Sequence, residues 1–379
     1  MAADARTRNR YFDDLFSTSD LAWMGQNTNH VPAHPAVAEA MIRSVEAGEF
    51  NAYAPPMGFE ALRSAIVADL GVAGTSAEAL ITEGGVNALA MICKARSKPG
   101  TTFVTTDPTW KWPCMFAEQA GAQVIQIPIY DASVNYKLTP EALRANVDER
   151  CAIIYIVDPN NPLGIRYDRE EIEAFAEIAR SVGALLIHDC TYRDFADGHT
   201  PVLQVAPEGT VVSLSFSKWL GLAGMRIGAL VAEPKLVDEF SAASTSVLGA
   251  SVVAQRAAMA GLSVKPEWMK DVRRIDSANK AMIIEAAKAT GLSVPIPVSH
   301  GNFLVLETAS TGVSPEAIVE AARREGVMIR QGRYHTAAFG DRFIKVSTSV
   351  PTAWAERFCE GLPRYIETAR TLNDVPALF

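Results

Sequence analysis

Between residues 101 and 218 short apolar runs alternate with amphipathic stretches, and this alternation restricts the fold more than any other feature of the chain. TTFVTTDP (101–108), AQVIQIPI (122–129), CAIIYIVDP (151–159), ALLIHD (184–189) and TVVSLSFSK (210–218) have the length of strands. CAIIYIVDP is continuously apolar, as a strand covered on both faces has to be. LTPEALRANV (138–147), entered through Thr139 and Pro140, reads as a helix. So does DREEIEAFAEIARSVG (168–183), with an acidic first turn, apolar residues at 172, 175, 176 and 179, and Gly183 as its stop. Strand, helix, strand at this spacing predicts an α/β fold, a mostly parallel sheet with helices on both sides. Ligands collect at the carboxyl ends of such strands. Asp107, Asp158, Asp189 and Lys218 all lie at the ends of the apolar runs, so the candidate chemistry converges on one edge of one sheet.

At 379 residues the chain has room for two domains. From about residue 265 the texture changes: KPEWMKDVRRIDSANKAMIIEAAKATG (265–291) reads as one long helix, followed by the strand NFLVLE, the helix SPEAIVEAARREG and the strand IKVSTSV (344–350). The expected division is a large domain over 41–264 and a smaller α+β domain over 265–379, with residues 1–40 packing on the small one. The net charge of −8, without a basic run, argues against nucleic acid or an anionic membrane as the main partner. The five cysteines carry no CxxC pair and the six histidines no HExxH, so neither a disulfide framework nor a metal site is expected. The N-terminus has no apolar targeting core and no apolar run reaches membrane-spanning length, which predicts a soluble, cytoplasmic protein.

Four local patterns carry chemistry. Lys218 sits among small and hydroxyl residues in SLSFSKWLGLAGMRIG (213–228); a deprotonated lysine there forms a Schiff base with a carbonyl or with pyridoxal phosphate, though taken alone it is equally a surface lysine at a turn. Ser215, Ser217 and Arg226 suit a phosphate, with Gly221 and Gly224 permitting close backbone approach. In LLIHDCTYRDF (185–195) Asp189 is placed to keep a pyridine nitrogen protonated, or to cap a helix, and Tyr192 to reach a ring oxygen. DPNNPLG (158–164) is a turn that presents an asparagine amide.

In that order (N-P-x-G, D-x-x-Y, then S-x-S-K followed by an arginine) the patterns resemble the fold-type I pyridoxal-phosphate enzymes. The resemblance is to the class I/II aminotransferases, with the histidinol-phosphate aminotransferase branch closest in texture. NAYAPPMGFEALRSAI (51–66), TEGGVNAL (82–89), DPTWKWP (107–113), GNFLVLE and FIKVSTS are similar to further family segments, so the likeness spans nearly the whole chain. It implies a large domain with a mostly parallel seven-stranded sheet flanked by helices, a smaller α+β domain, and pyridoxal 5′-phosphate as cofactor. Lys218 would be the Schiff-base lysine and proton carrier, Asp189 the partner of the ring nitrogen, and Tyr192 and Asn161 the partners of the ring hydroxyl oxygen. Trp110 would stack on the ring. Ser215, Ser217, Arg226, Gly85, Val86 and Asn87 would surround the phosphate, and Tyr53 would reach the phosphate of a neighbouring subunit in a homodimer with shared sites.

Two departures from the family pattern stand out. Lys345 occupies the near-terminal position where the family carries a carboxylate-binding arginine, and a lysine lacks the planar fork. Either Lys345 holds the substrate carboxylate, or Arg330, Arg333 or Arg342 does, or the substrate is presented differently. Asp-Cys-Thr-Tyr also replaces the family's Asp-Glu-x-Tyr. Asn29 and His30, in QNTNHVP, are further substrate-side candidates, and Trp110, Trp112 and Tyr334 point to an apolar or cationic substrate side chain. The implied reaction is amino-group transfer between an L-amino acid and a 2-oxo acid. The alternatives are a lyase, decarboxylase or cyclase on the same scaffold, and a binding protein that kept the fold without the cofactor.

Overall fold

The structure, a computed structural model, describes residues 5–372 and Val375. The chain divides into two compact units, one made of Pro32–Asn161 and Ile165–Lys270, the other of the chain up to Val31, Pro162–Gly164, and the chain from Asp271 onward.

The first unit is built on a seven-stranded sheet: β2 (Glu78–Thr82), β3 (Thr102–Asp107), β4 (Gln123–Pro128), β5 (Cys151–Val157), β6 (Leu185–Asp189), β7 (Thr210–Ser215) and β8 (Gly228–Ala232), in the order β2-β8-β7-β6-β5-β3-β4. Only β8 runs against its neighbours β2 and β7; the remaining pairs are parallel. Helices α2 (Pro35–Glu46), α3 (Glu60–Asp69), α4 (Gly85–Arg96), α5 (Trp112–Gln119), α6 (Pro140–Arg144), α7 (Arg169–Val182) and α8 (Pro234–Ala242) belong to the same unit. Its core gathers Phe103, Ile153, Tyr155, Leu185, Ile187, Val211 and Leu230 from the strands with Leu89, Ile92 and Phe240 from the helices. This is the architecture the alternating pattern and the family resemblance lead one to expect.

Local chemistry explains the helix ends. Thr139 accepts from Ala142 N at 3.1 Å, and Pro140 at the first helical position lacks an N–H that would otherwise go unpaired. At α7 the backbone of Asp168 donates to the Glu171 carboxylate at 2.7 Å, the reciprocal half of a capping box, and Gly183 closes the helix at φ 72°. Helix α6 is shorter than the expected 138–147 and stops at Arg144. Helix α9 (Val252–Ala289) starts well before residue 265, with Pro266 inside it, so the proline that resembles a helix start marks an interior position.

The second unit contains α1 (Ala5–Ser17), β1 (Ala22–Trp23), the part of α9 from Asp271, β9 (Phe303–Glu307), α10 (Pro315–Arg324), β10 (Val327–Met328), β11 (Arg330–Gln331), β12 (Phe343–Ser347) and α11 (Thr352–Thr371). β11, β12 and β9 form an antiparallel sheet, while β1 pairs in parallel with β10. Leu304, Leu306, Ile344, Val346, Ile318, Phe358 and Tyr365 pack into its core. Among the described residues no helix is long and apolar enough to cross a membrane.

Candidate active site

Three parallel strands run side by side to one edge of the sheet, β7 extending two residues further than β5 and β6. Val157 pairs with Asp189 and Asp189 with Ser213, and the chain beyond them stays joined: Asp158 N donates to Asp189 O at 2.9 Å and Cys190 N to Ser213 O at 3.0 Å. Asp189 therefore stands at the carboxyl edge of the middle strand, 3% exposed. Its carboxylate accepts from Tyr155 Oη at 2.8 Å, from Thr191 Oγ1 at 2.6 Å and from Thr191 N at 3.2 Å. Burial raises its pKa above the usual carboxylate value, and the Thr191 and Tyr155 hydrogen bonds only partly offset that. An anion this deep gains from a cation brought beside it. Asn161 Nδ2 donates to Tyr192 Oη at 3.2 Å, so the amide and phenol read from the sequence meet. Lys218, half-buried, lies just past the end of β7, and Trp110, beyond the end of β3, packs on the core that contains Tyr155.

Beside these groups β7, β8 and the start of α4 pack closely on one another. Helix α4 opens at Gly85 with Gly84 at φ +83° before it and no side chain capping its first N–H groups, which leaves an anion-seeking terminus. A Cβ on Gly84 would lie 2.5 Å from Arg226 Nη2, and one on Gly85 3.4 Å from the Ser215 Cβ and 3.5 Å from Ser213 Oγ. A Cβ on Gly228 would lie 2.4 Å from Gly85 N. Glycine is thus required where β7, β8 and the start of α4 converge. Arg226 is held in the left-handed region at φ 51°, with Nη1 donating to Ala223 O at 2.8 Å. Ser215 Oγ accepts from Ser217 N at 3.2 Å. Val86 follows Gly85 in the first turn of α4, and Asn87 Nδ2 donates to the Glu83 carboxylate. The candidates Gly85, Val86, Asn87, Ser215, Ser217 and Arg226 therefore fall together. Tyr53 does not join them; it is 83% exposed.

Sequence reasoning missed several members of this edge. Tyr155 and Thr191 hold Asp189, and Ser213 Oγ is buried beside Gly85 without a hydrogen-bond partner. Their signal was the alternation of β5 and β7, which puts Tyr155 and Ser213 on definite faces but does not say what each meets across the sheet. A second missed group surrounds Asp158. Ring nitrogens and thiol of His188, Cys190 and His199 lie within 4.8 Å of one another, a spacing metals use. Hydrogen bonds already engage both nitrogens of His188 and Nε2 of His199, so the arrangement serves as a shell around the Asp158 carboxylate.

The substrate-side candidates belong to the other unit. Arg330 and Lys345 face each other across the β11–β12 ladder, both buried. The Arg330 guanidinium lies 4.9 Å from the centroid of the Tyr334 ring and Lys345 Nζ lies 5.3 Å from that of Phe303. Arg333 is half-exposed and pairs with Glu316 at 3.2 Å; Arg342 pairs with Glu307 at 2.7 Å. Asn29 is buried, its Oδ1 accepting from Val31 N at 3.0 Å, and His30 Nε2 lies 2.7 Å from Thr28 Oγ1.

Comparison with known proteins agrees with this geometry. The model of the aminotransferase class I and II family matches residues 19–362. A histidinol-phosphate aminotransferase from Natronomonas pharaonis is 31% identical over 323 residues, 85% of this chain and 84% of that one. An aspartate/prephenate aminotransferase from Thermus thermophilus is 27% identical over 337 residues, 86% of each chain. The solved structure of an aspartate aminotransferase from Thermus thermophilus with maleate superposes with a TM-score of 0.83 at 21% identity, covering 96% of this chain and 97% of that one. The chain therefore belongs to the class I and II aminotransferases, fold-type I enzymes that work with pyridoxal 5′-phosphate.

Proposed function

We propose that this enzyme transfers the amino group of an L-amino acid to a 2-oxo acid, with Lys218 as the covalent anchor of the cofactor. The observation that carries the reading is the buried carboxylate of Asp189 at the end of the same sheet whose strands β7 and β8 pack against the uncapped, glycine-bearing start of α4. The residues fit pyridoxal phosphate: the glycines bring β7, β8 and the start of α4 close together, the uncapped helix terminus and Arg226 favour a phosphate, and Ser213 Oγ offers a further buried hydroxyl. When bound, the cofactor supplies an electron sink for the pair left at the substrate Cα once a bond there breaks. Asp189 holds the proton on the ring nitrogen, and Asn161 and Tyr192 orient the ring hydroxyl oxygen. Trp110 would cover a ring face and keep water from it. Lys218 would take the proton from the substrate Cα and give it back during the reaction, which requires its amine uncharged for part of the cycle.

For the substrate carboxylate we favour Lys345. The ion pairs of Arg333 and Arg342 with Glu316 and Glu307 assign those cations to the surface of their own unit, and Arg330 lies against Tyr334 and Gly25 O. The relatives named for histidinol phosphate and for aspartate or prephenate differ in side chain, so the substrate class is kept at amino acid and 2-oxo acid. A homodimer is part of the reading. Phe50, Tyr53 and Val247 are 61%, 83% and 84% exposed, and Gly249 N donates to Ala54 O at 3.3 Å, which sets the 53–55 and 247–249 segments side by side as an apolar face for a second copy.

The test is direct. Purified enzyme treated with borohydride and mapped by peptide analysis should carry the label at Lys218, and Lys218→Ala should lose the visible absorbance. Mixing with amino acids should convert the bound cofactor to its amine form, reversed by 2-oxo acids. Ammonia or CO2 released with no 2-oxo acid requirement would instead favour the lyase or decarboxylase alternative.

A further inference from the structure

Asp158 directly follows β5, the strand adjoining β6, and its side chain is fully buried; those of His188 and His199 are 1% and 4% exposed. Its Oδ1 accepts from Tyr167 N at 3.1 Å, while its Oδ2 lies 3.1 Å from Nε2 of both His188 and His199. Proton positions follow from these partners. Val202 N donates to His188 Nδ1 at 3.1 Å, so the single ring proton of His188 sits on Nε2 and points at Asp158. His199 Nε2 lies 3.1 Å from both the carbonyl and the carboxylate of Asp158, two acceptors, and so also carries its proton there. The two rings stack with centroids 5.3 Å apart. Burial alone would raise the pKa of Asp158, but His199 and His188 outweigh it and hold the carboxyl ionised. Burial keeps His188 neutral in spite of that neighbour.

The connectivity gives this shell its meaning. His188 immediately precedes Asp189, and Asp158 opens the turn that presents Asn161. Along a strand alternate side chains point to opposite faces, so His188 and Asp189 look opposite ways. We infer that Asp158 is a positioning residue: from the face opposite Asp189, one carboxylate ties the strand end bearing Asp189 to the turn bearing Asn161 and so sets both cofactor-facing groups at once. This rests on the reading that the cofactor ring nitrogen meets Asp189. It goes further, because that reading gives Asp158 and His188 no part in holding the cofactor. The shell also leaves the imidazole next to Asp189 in the chain without charge, so His188 does not neutralise the Asp189 carboxylate.

The experiment is a double-mutant cycle on the equilibrium binding of pyridoxal phosphate to the apoenzyme, read by absorbance and fluorescence. Asp158→Asn cannot accept both imidazole N–H groups and the Tyr167 N–H in the same way. It should weaken pyridoxal phosphate by about tenfold, the scale of one charge-assisted hydrogen bond. In the Asp189→Asn background the same change should weaken it less than about twofold, since the group it positions is no longer an anion. Equal losses in both backgrounds, or no loss in either, would overturn the inference. Should Asp158→Asn fail to fold, His188→Leu cuts the same tie and must show the same dependence on Asp189; independence overturns the proposal. A full-length enzyme that binds no pyridoxal phosphate, or an Asp189→Asn variant that binds it as tightly as the parent, removes the underlying reading and this inference with it. Loss confined to the Asp158 variants and independent of Asp189 removes the inference alone.

Discussion

Gly228 and Gly85 meet backbone to backbone, and at this scale the packing is a matter of single atoms. A Cβ on Gly228 would lie 2.4 Å from Gly85 N and 2.7 Å from Leu214 O, with no flexible side chain to give way. Gly228→Ala should cost ~1–3 kcal/mol of stability in urea unfolding, as overpacking does, and should weaken pyridoxal phosphate as well. Asp189→Asn keeps the shape but removes the charge; a hydrogen bond to a charged group is worth ~1.5–3 kcal/mol, so cofactor affinity should fall about 10–100-fold by absorbance titration. Lys345→Met should raise KM for the amino acid by about tenfold or more while Arg333→Ala changes it little, because Arg333 is half-exposed and paired to Glu316. The places of Asp189 at a strand end, of Lys218 just beyond one and of Asn161 in a turn were legible in the sequence, because the apolar runs stop there and DPNNPLG is turn-like. Tyr155 was not. It reaches Asp189 across the sheet, its own register partner being Ile187, and nothing in a one-dimensional pattern gives that diagonal.

Among the elements, the strands that flank the site follow their apolar runs closely because burial on both faces leaves little choice of residue. The helices follow their caps. Thr139→Ala removes the oxygen that accepts from Ala142 N and should cost ~1 kcal/mol, measured as a lower urea midpoint with unchanged slope. Where a cap-like residue lies inside an element the reading goes astray. Pro266 suits a first helical turn, yet α9 begins at Val252, and the apolar periodicity from 252 to 264 is interrupted by small residues that could equally belong to a loop. The short strand β8 escaped for a related reason: GALVA is brief and rich in small residues, and only its antiparallel pairing with β2 and β7 defines it.

At the level of the folded molecule a buried charge cluster links three elements of the first unit. Lys265 Nζ lies 2.6 Å from Asp69 Oδ2 and 2.6 Å from Asp194 Oδ1, it sits 4.7 Å from the centre of the Trp219 ring, and Arg193 also pairs with Asp69. Lys265→Met would leave Asp69 and Asp194 with Arg193 as their remaining cation, and breaking such a pair costs up to ~3–5 kcal/mol, seen as a drop in Tm. Burial pushes the pKa of Asp194 up, but Lys265 and Arg193 prevail and hold it below the usual carboxylate value. A carboxyl whose folded pKa is depressed contributes its stability above the unfolded value near 3.9 and loses it as pH falls through the folded one. Melting between pH 3 and pH 6 should therefore show a steep acid-side decline, shallower in the Lys265→Met variant. Asp189 has the opposite sign, since its raised pKa opposes folding at neutral pH until a cation arrives. Removing the cofactor should lower Tm, and by less in Asp189→Asn.

The parallel pairing of Ala22 with Val327 and Trp23 with Met328 has a consequence for biosynthesis. A ribosome makes the chain from its amino end, so the segment around Leu21 emerges long before the strand it must lie against exists. The sheet that ends at Ala232 can close in the meantime, whereas Leu21, Ala22 and Met24 wait as an apolar stretch in search of a mate. Nascent chains halted before residue 327 should therefore be those that chaperones hold, and release should follow once Val327 and Met328 clear the exit tunnel.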